Sequence, residues 1–217
     1  MQVIILDRTD SVLNNYLAEI RNIDTQGDPM RFRANIERIG AIMSYEVSKR
    51  LSYKTIDVVT PLGVSQVHVP QDEVVIGSIL RAGLPMHAGV LSLFDRAENC
   101  FISAYRKYST EETFDIHLEY VATPHLEGKV LILSDPMLAT GCSLEMTFQA
   151  LKRFGVPKHA HIMSIIASQA GLNYLCDKLK EEPVTLWVAS LDPELNSHKY
   201  IVPGLGDAGD LAFGYKI

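Results

Sequence analysis

The stretch Asp135-Pro136-Met137-Leu138-Ala139-Thr140-Gly141-Cys142-Ser143 follows an apolar run, Leu131-Ile132-Leu133, and precedes a helical pattern. A turn that leaves a buried strand and enters a helix points several backbone N–H groups in one direction. With the helix dipole they make a site for an anion. Gly141 allows close approach of the backbone, and the hydroxyls of Thr140 and Ser143 add donors. The stretch has neither the lysine that follows the second glycine of a nucleoside-triphosphate loop nor a GxGxxG pattern. Its distinguishing feature is the acid at its head. Asp135 can accept hydrogen bonds from sugar hydroxyls while the loop beyond it holds a phosphate on the same molecule. A ribose phosphate meets both demands. The same residue types also cap helices, so Thr140 or Ser143 acting as a plain N-cap stands beside that reading.

Such a loop needs a strand behind it and a helix ahead of it. Residues 74–79, 100–105, 130–133, 162–167 and 184–189 read as strands, and 84–94, 142–154 and 169–179 as helices between them. Nearly continuous apolar strands alternating with helices predict an α/β fold, a parallel sheet covered by helices on both faces. Ligands on such sheets sit at the carboxyl ends of the strands, where the loop would lie. Before this unit, a short apolar start (3–6) is followed by Phe32, Ile36, Ile39, Met43, Val47 and Leu51 at three- and four-residue steps, a long amphipathic helix. Ile56-Val58-Thr60 and Val64-Gln66-His68 flank Pro61-Leu62-Gly63 as a hairpin candidate. Phe114, Ile116, Leu118 and Tyr120 alternate with Asp115, His117 and Glu119. That pattern predicts a half-buried antiparallel arm inserted between core strands, folding over something or pairing with a second subunit.

Bulk properties narrow the field. The chain has 217 residues, 47% apolar and 21% charged, which fits one soluble globular domain with an appendage. A formal net charge of −6 argues against a general affinity for nucleic acid, though it permits a local basic pocket for phosphate. Three separated cysteines fit neither a disulfide framework nor a paired-cysteine zinc site. The seven histidines have no metal-ligand spacing. With no leader pattern and no apolar run of membrane-spanning length, the expectation is a cytoplasmic protein with no membrane partner.

Several quoted stretches resemble one family. "DPMLATG" plus Ser143 looks like the phosphoribosyl diphosphate motif of uracil phosphoribosyltransferases, and "ILRAGLPM" (79–86) is similar to that family's diphosphate loop. "YIVPGLGDAGD" (200–210) closely resembles its uracil loop, and "RFR" with a helix carrying "SYEV" (44–47) resembles its N-terminal region. The similarity spans nearly the whole chain. It implies a type I phosphoribosyltransferase fold over 1–217: a core near residues 70–190, a small hood from the N-terminal segment and 190–217, and a β-arm near 106–122. It implies that Arg81 and Arg106 bind the diphosphate. Asp135, Pro136, Met137, Leu138, Ala139, Thr140, Gly141, Cys142 and Ser143 would bind the ribose and its 5-phosphate. Ile201, Gly206, Asp207 and Ala208 would contact uracil, with Asp207 also touching the phosphoribosyl donor. Asp207 and Arg106 are the catalytic candidates. No protein metal site is expected; Mg2+ would arrive on the diphosphate.

The implied reaction converts uracil and 5-phosphoribosyl 1-diphosphate (PRPP) to UMP and diphosphate, a step of pyrimidine salvage. The glycines of "PGLGDAG" let backbone groups approach a flat ring, and the amino group of cytosine would leave a buried loop donor unpaired. The sequence departs from the family pattern at Cys142 and Pro85, each where glycine is usual, at Leu211, and in "YRKYSTEET", which lengthens the start of the arm. Rival readings are an enzyme for another base, such as orotate or a purine, and a regulator that binds pyrimidine nucleotides with little catalysis. A silent ligand-binding homologue is a third. The alternating arm and the resemblance together favour a homodimer or higher homo-oligomer.

Overall fold

The computed structural model describes residues 1–108 and 114–216, with the backbone alone for 104–108 and 114–119. From the N-terminus, β1 (Gln2–Ile5) leads to α1 (Val12–Arg21), α2 (Pro29–Ser48) and two hairpin strands, β2 (Tyr53–Thr60) and β3 (Gly63–Pro70). Then come β4 (Val74–Leu80), α3 (Gly83–Leu93), β5 (Glu98–Tyr108), β6 (Phe114–Ala122) and β7 (Val130–Ser134). A two-residue strand, β8 (Met137–Leu138), precedes α4 (Cys142–Leu151), β9 (His159–Ser168), α5 (Gln169–Lys178) and β10 (Val184–Asp192). Two short strands, β11 (Glu194–Leu195) and β12 (Ile201–Val202), lead into α6 (Ala208–Phe213).

The main sheet runs β1-β10-β9-β7-β4-β5-β6. It is parallel from β1 to β5, and β6 pairs antiparallel with β5. Side chains alternate across it. Ile76, Ile132, Met163 and Trp187 face α1, α2 and α3, whereas Val75, Leu131, Leu133 and Leu186 face α4 and α5. Both faces are covered, so the strands are apolar on both sides. Helix α2 buries Phe32, Ile36, Ile39, Met43 and Val47, each worth roughly 1.5–3 kcal/mol on burial. Asp28 caps its start by accepting from the N–H groups of Met30 and Arg31, with Pro29 in the first turn.

The structure differs from the sequence expectation at four places. The N-terminal residues 2–5 do not build a hood but extend the core sheet at its edge, Gln2 opposite Thr185. Helix α1 was not anticipated. Leu51 lies beyond the end of α2, yet a tightened last turn, Leu51 N–H to Ser48 C=O at 3.2 Å, keeps it in the core. Met137 and Leu138 are a strand paired with β9, not turn residues. The lengthened arm segment, residues 109–113, lies outside the described residues. Strands β2 and β3 form the hairpin around Pro61 and Leu62, with Thr60 opposite Gly63. Every residue of β2 is exposed.

At the far end of the sheet, the buried Trp187 Nε1–H donates to His161 Nδ1 at 3.1 Å. This requires the neutral ring. Burial, then the neighbouring His159 and Arg50, push His161 down from 6.5 to about 4. Because the folded value lies below the unfolded one, the unfolded chain binds the proton first as pH falls. The contribution of His161 is present above pH 6.5 and lost as pH drops through about 4, by up to about 3 kcal/mol. Denaturant midpoints measured from pH 7 to 4 should therefore fall less steeply in His161→Leu than in the parent.

Candidate active site

The carboxyl ends of β4, β5 and β7 open into one cleft of about 730 Å³, roofed by parts of 198–209 and by Lys216. Arg81 leaves the end of β4, Ser103 lies on β5, and Asp135 directly follows β7. The fold thus places a guanidinium and a carboxyl at adjacent strand ends.

The loop after β7 is held by its own backbone. Asp135 N–H donates to Met163 C=O at 3.1 Å, and Pro136 C=O accepts from Ile165 and Ile166 N–H at 3.1 and 2.9 Å. Ala139 C=O accepts from Ser168 Oγ at 2.5 Å, and that hydroxyl in turn caps α5. Gly171 of α5 packs so closely that a Cβ there would lie 2.4 Å from the Ala139 oxygen. Gly141 adopts φ +83°, a left-handed value that L side chains avoid. It is itself the N-cap of α4, and no side chain caps the helix. Thr140 and Ser143 are therefore not its caps. They line a small hollow of about 30 Å³ with Asp135, Leu138, Ala139 and Gly141. An uncapped helix start, two hydroxyls and a left-handed glycine around a hollow can hold an anion's oxygens.

Asp135 Oδ1 accepts from Met137 N–H at 3.2 Å. Burial outweighs that bond and pushes the carboxyl up to about 6. Across the cleft, Arg81 Nη2 donates to Asp210 Oδ1 at 2.8 Å and Nη1 to Gly214 C=O at 3.1 Å. Asp207 caps α6 by accepting from Asp210 N–H at 3.0 Å, and its other oxygen meets Lys216 Nζ at 3.3 Å. Burial raises the Asp207 carboxyl, but the Asp210 N–H and Lys216 together hold it below the ordinary carboxylate value. Asp207 is a standing carboxylate and a weak base.

Of the residues singled out in the sequence, the cleft gathers Arg81, Asp135, Met137, Ala139, Ser143, Ile201, Gly206, Asp207 and Ala208. Leu138, Thr140 and Gly141 line the hollow. Pro136 and Cys142 line neither; Pro136 is buried, and Cys142 neighbours Tyr174, whose hydroxyl is pushed up to about 12 by burial and then by that neighbour. Arg106 lies on β5 with its backbone opposite Ile116, and its side chain is outside the described residues. Tyr200, at the head of the quoted 200–210 stretch, also lines the cleft, as do Ser103 and Lys216, which no motif marks. Lys216 stands nine positions beyond its partner Asp207, and no periodic signal links them.

Among the described residues, no group of three or more His, Cys, Asp or Glu is gathered for a metal. No described helix is long and apolar enough to cross a membrane. Residues 8–214 match the family model described as uracil phosphoribosyltransferase. A protein of Porphyromonas gingivalis strain ATCC 33277 named uracil phosphoribosyltransferase is 52% identical over 217 residues, all of both chains. The structure of the AQ2163 protein from Aquifex aeolicus is 29% identical and covers all of both chains, with TM-score 0.88. A hypoxanthine phosphoribosyltransferase from Staphylococcus aureus is 13% identical at TM-score 0.52 and covers 86% of this chain and 84% of its own, a likeness of fold alone.

Proposed function

Because the chain belongs to the uracil phosphoribosyltransferase family, it converts uracil and PRPP to UMP and diphosphate, and we propose how its residues carry that reaction. One observation supports the assignment of parts. Residues of the carboxyl-headed loop 135–143 and of the glycine-rich segment 201–208 line the same cleft, and so does Arg81.

In this reading the hollow around Thr140, Gly141 and Ser143 takes the 5-phosphate, and Asp135 accepts from the ribose hydroxyls. Uracil N1 attacks C1′ while the bond from C1′ to the diphosphate oxygen breaks, through a transition state of oxocarbenium character. Such a step needs positioned reactants and a stabilised leaving group. Arg81 supplies the second, its guanidinium fork exchanging Asp210 and Gly214 for phosphate oxygens, with Arg106 assigned alongside it. Asp207, held below the ordinary carboxylate range, orients uracil and bears on the developing positive charge. The N1 proton passes to water. Magnesium would arrive as part of the diphosphate substrate and would offset its negative charge there. Asp207, which lines the cleft, and Asp210 of the same helix region already face Lys216 and Arg81.

We also assign the protein to the cytoplasm, with no nucleic-acid partner given its net charge of −6. The reading includes a homodimer or higher assembly. The β2–β3 hairpin forms its own two-stranded sheet, with Ile56, Val58, Val59, Val64 and Val67 exposed. A lone hairpin of this kind is marginal in water without a surface to cover it. The direct test is nucleotide formation from PRPP and magnesium with uracil, cytosine, orotate, adenine, guanine and hypoxanthine. UMP from uracil alone is the expected result. Product from another base at comparable efficiency would overturn the base assignment.

A further inference from the structure

The segment that roofs the cleft is fastened by a partly buried ion pair whose two residues do not line the cleft. Arg21, the last residue of α1, and Asp192, the last residue of β10, meet in a two-bond fork: Nη1 to Oδ2 and Nη2 to Oδ1, both 2.8 Å. Their side chains are 22% and 6% exposed. Both also grip Gly204. Arg21 Nη1 donates to Gly204 C=O at 2.9 Å, and Asp192 Oδ2 accepts from Gly204 N–H at 2.8 Å. Arg21 Nη2 is steadied by Ser190 Oγ at 2.9 Å. Gly204 sits at φ +57°, and a Cβ there would lie 2.2 Å from the Ile201 oxygen. Both polar groups of one peptide position, between Ile201 and Gly206, are thus taken by a single ion pair rooted in the core sheet.

We propose that Arg21 and Asp192 are positioning residues for base recognition. By clamping Gly204 they set where the backbone of 201–208 stands over the cleft, and so how well it fits a uracil ring. A flexible glycine-rich segment would otherwise lose affinity to the entropy of ordering it. Only a planar fork can reach Asp192, Ser190 and Gly204 together; an ammonium has no such reach. The inference rests on the reading that 201–208 holds the base.

Steady-state kinetics of Arg21→Lys, Arg21→Met and Asp192→Asn, each varied in uracil and in PRPP, test it. The expected result is a rise of about tenfold or more in KM for uracil, graded so that lysine is milder than methionine. KM for PRPP should stay within about twofold and kcat should change little, the signature of lost binding rather than lost transition-state stabilisation. Discrimination against cytosine should weaken in the same order. If a variant fails to fold, Ser190→Ala, which removes one support of the fork, is expected to give a smaller shift in the same direction. Lowered melting temperature with an unchanged uracil KM would overturn the proposal, leaving the pair merely structural. Equal losses toward both substrates would also overturn it. Ile201→Ala separates the two levels. If it raises the uracil KM while Arg21→Lys does not, the clamp is wrong; if neither moves it, the base assignment of 201–208 is wrong.

Discussion

Asp135→Asn is expected to give a protein that is more stable without ligand at pH 7 and far less active. The carboxyl stands at about 6 in the folded protein against 3.8 ordinarily, because burial disfavours its charge. The folded value lies above the unfolded one, so the group's contribution to stability is complete below pH 3.8 and lost as pH rises through about 6. At pH 7 the parent therefore carries a penalty of up to about 3 kcal/mol. Asparagine escapes it and keeps an oxygen for Met137 N–H. Chemical denaturation at pH 4 and 7 should show the variant's advantage only at the higher pH. Activity should move the other way. A carboxylate accepting from two sugar hydroxyls makes charge-assisted bonds worth roughly 1.5–3 kcal/mol each, so kcat/KM should fall on the order of 10²–10³-fold. In the parent, kcat/KM should also decline below about pH 6, an acid limb absent from the variant. Unchanged kcat/KM in Asp135→Asn would remove Asp135 from the ribose site.

The second large effect is Arg81→Ala, expected to lower kcat on the order of 10²–10³-fold through loss of one donor to the departing diphosphate. Its folding should be nearly unaffected. The Arg81 side chain is 40% exposed, and such an ion pair with Asp210 is worth about 1 kcal/mol or less. That contrast makes the variant informative: a catalytic loss without a melting-temperature loss places the residue in the chemistry. Arg81→Lys should recover part of kcat, since an ammonium supplies charge without the fork. A melting temperature lowered in proportion to activity would instead assign Arg81 to holding the roof through Asp210 and Gly214.

Much of this architecture is legible in the residues. The central strands are buried on both faces and so read as apolar runs, and α2 repeats its core residues at helical steps. Helix α1 escapes notice because only Leu13, Leu17 and Ile20 are buried, among Asn14, Asn15 and Glu19. Two-residue β8 is too short to have a period. That β1 joins the main sheet depends on its pairing with β10, near the other end of the chain, which no local pattern encodes. The site divides the same way. The loops around Asp135 and Gly206 are contiguous and readable as motifs. Lys216 beside Asp207, and Arg21 beside Asp192 and Gly204, are contacts made by folding.

The nearness of Gly171 to Ala139 has a consequence for how this protein can vary over generations. A side chain at 171 would meet a main-chain oxygen, which no substitution elsewhere can trim away. Room would open only if α5 and the Ala139 main chain moved apart, and Ser168 Oγ, bonded to both Ala139 C=O and Gly171 N–H, ties them together. The shape of the anion loop is therefore inherited from a helix beneath it, and a lineage that changes residue 171 must rebuild both together.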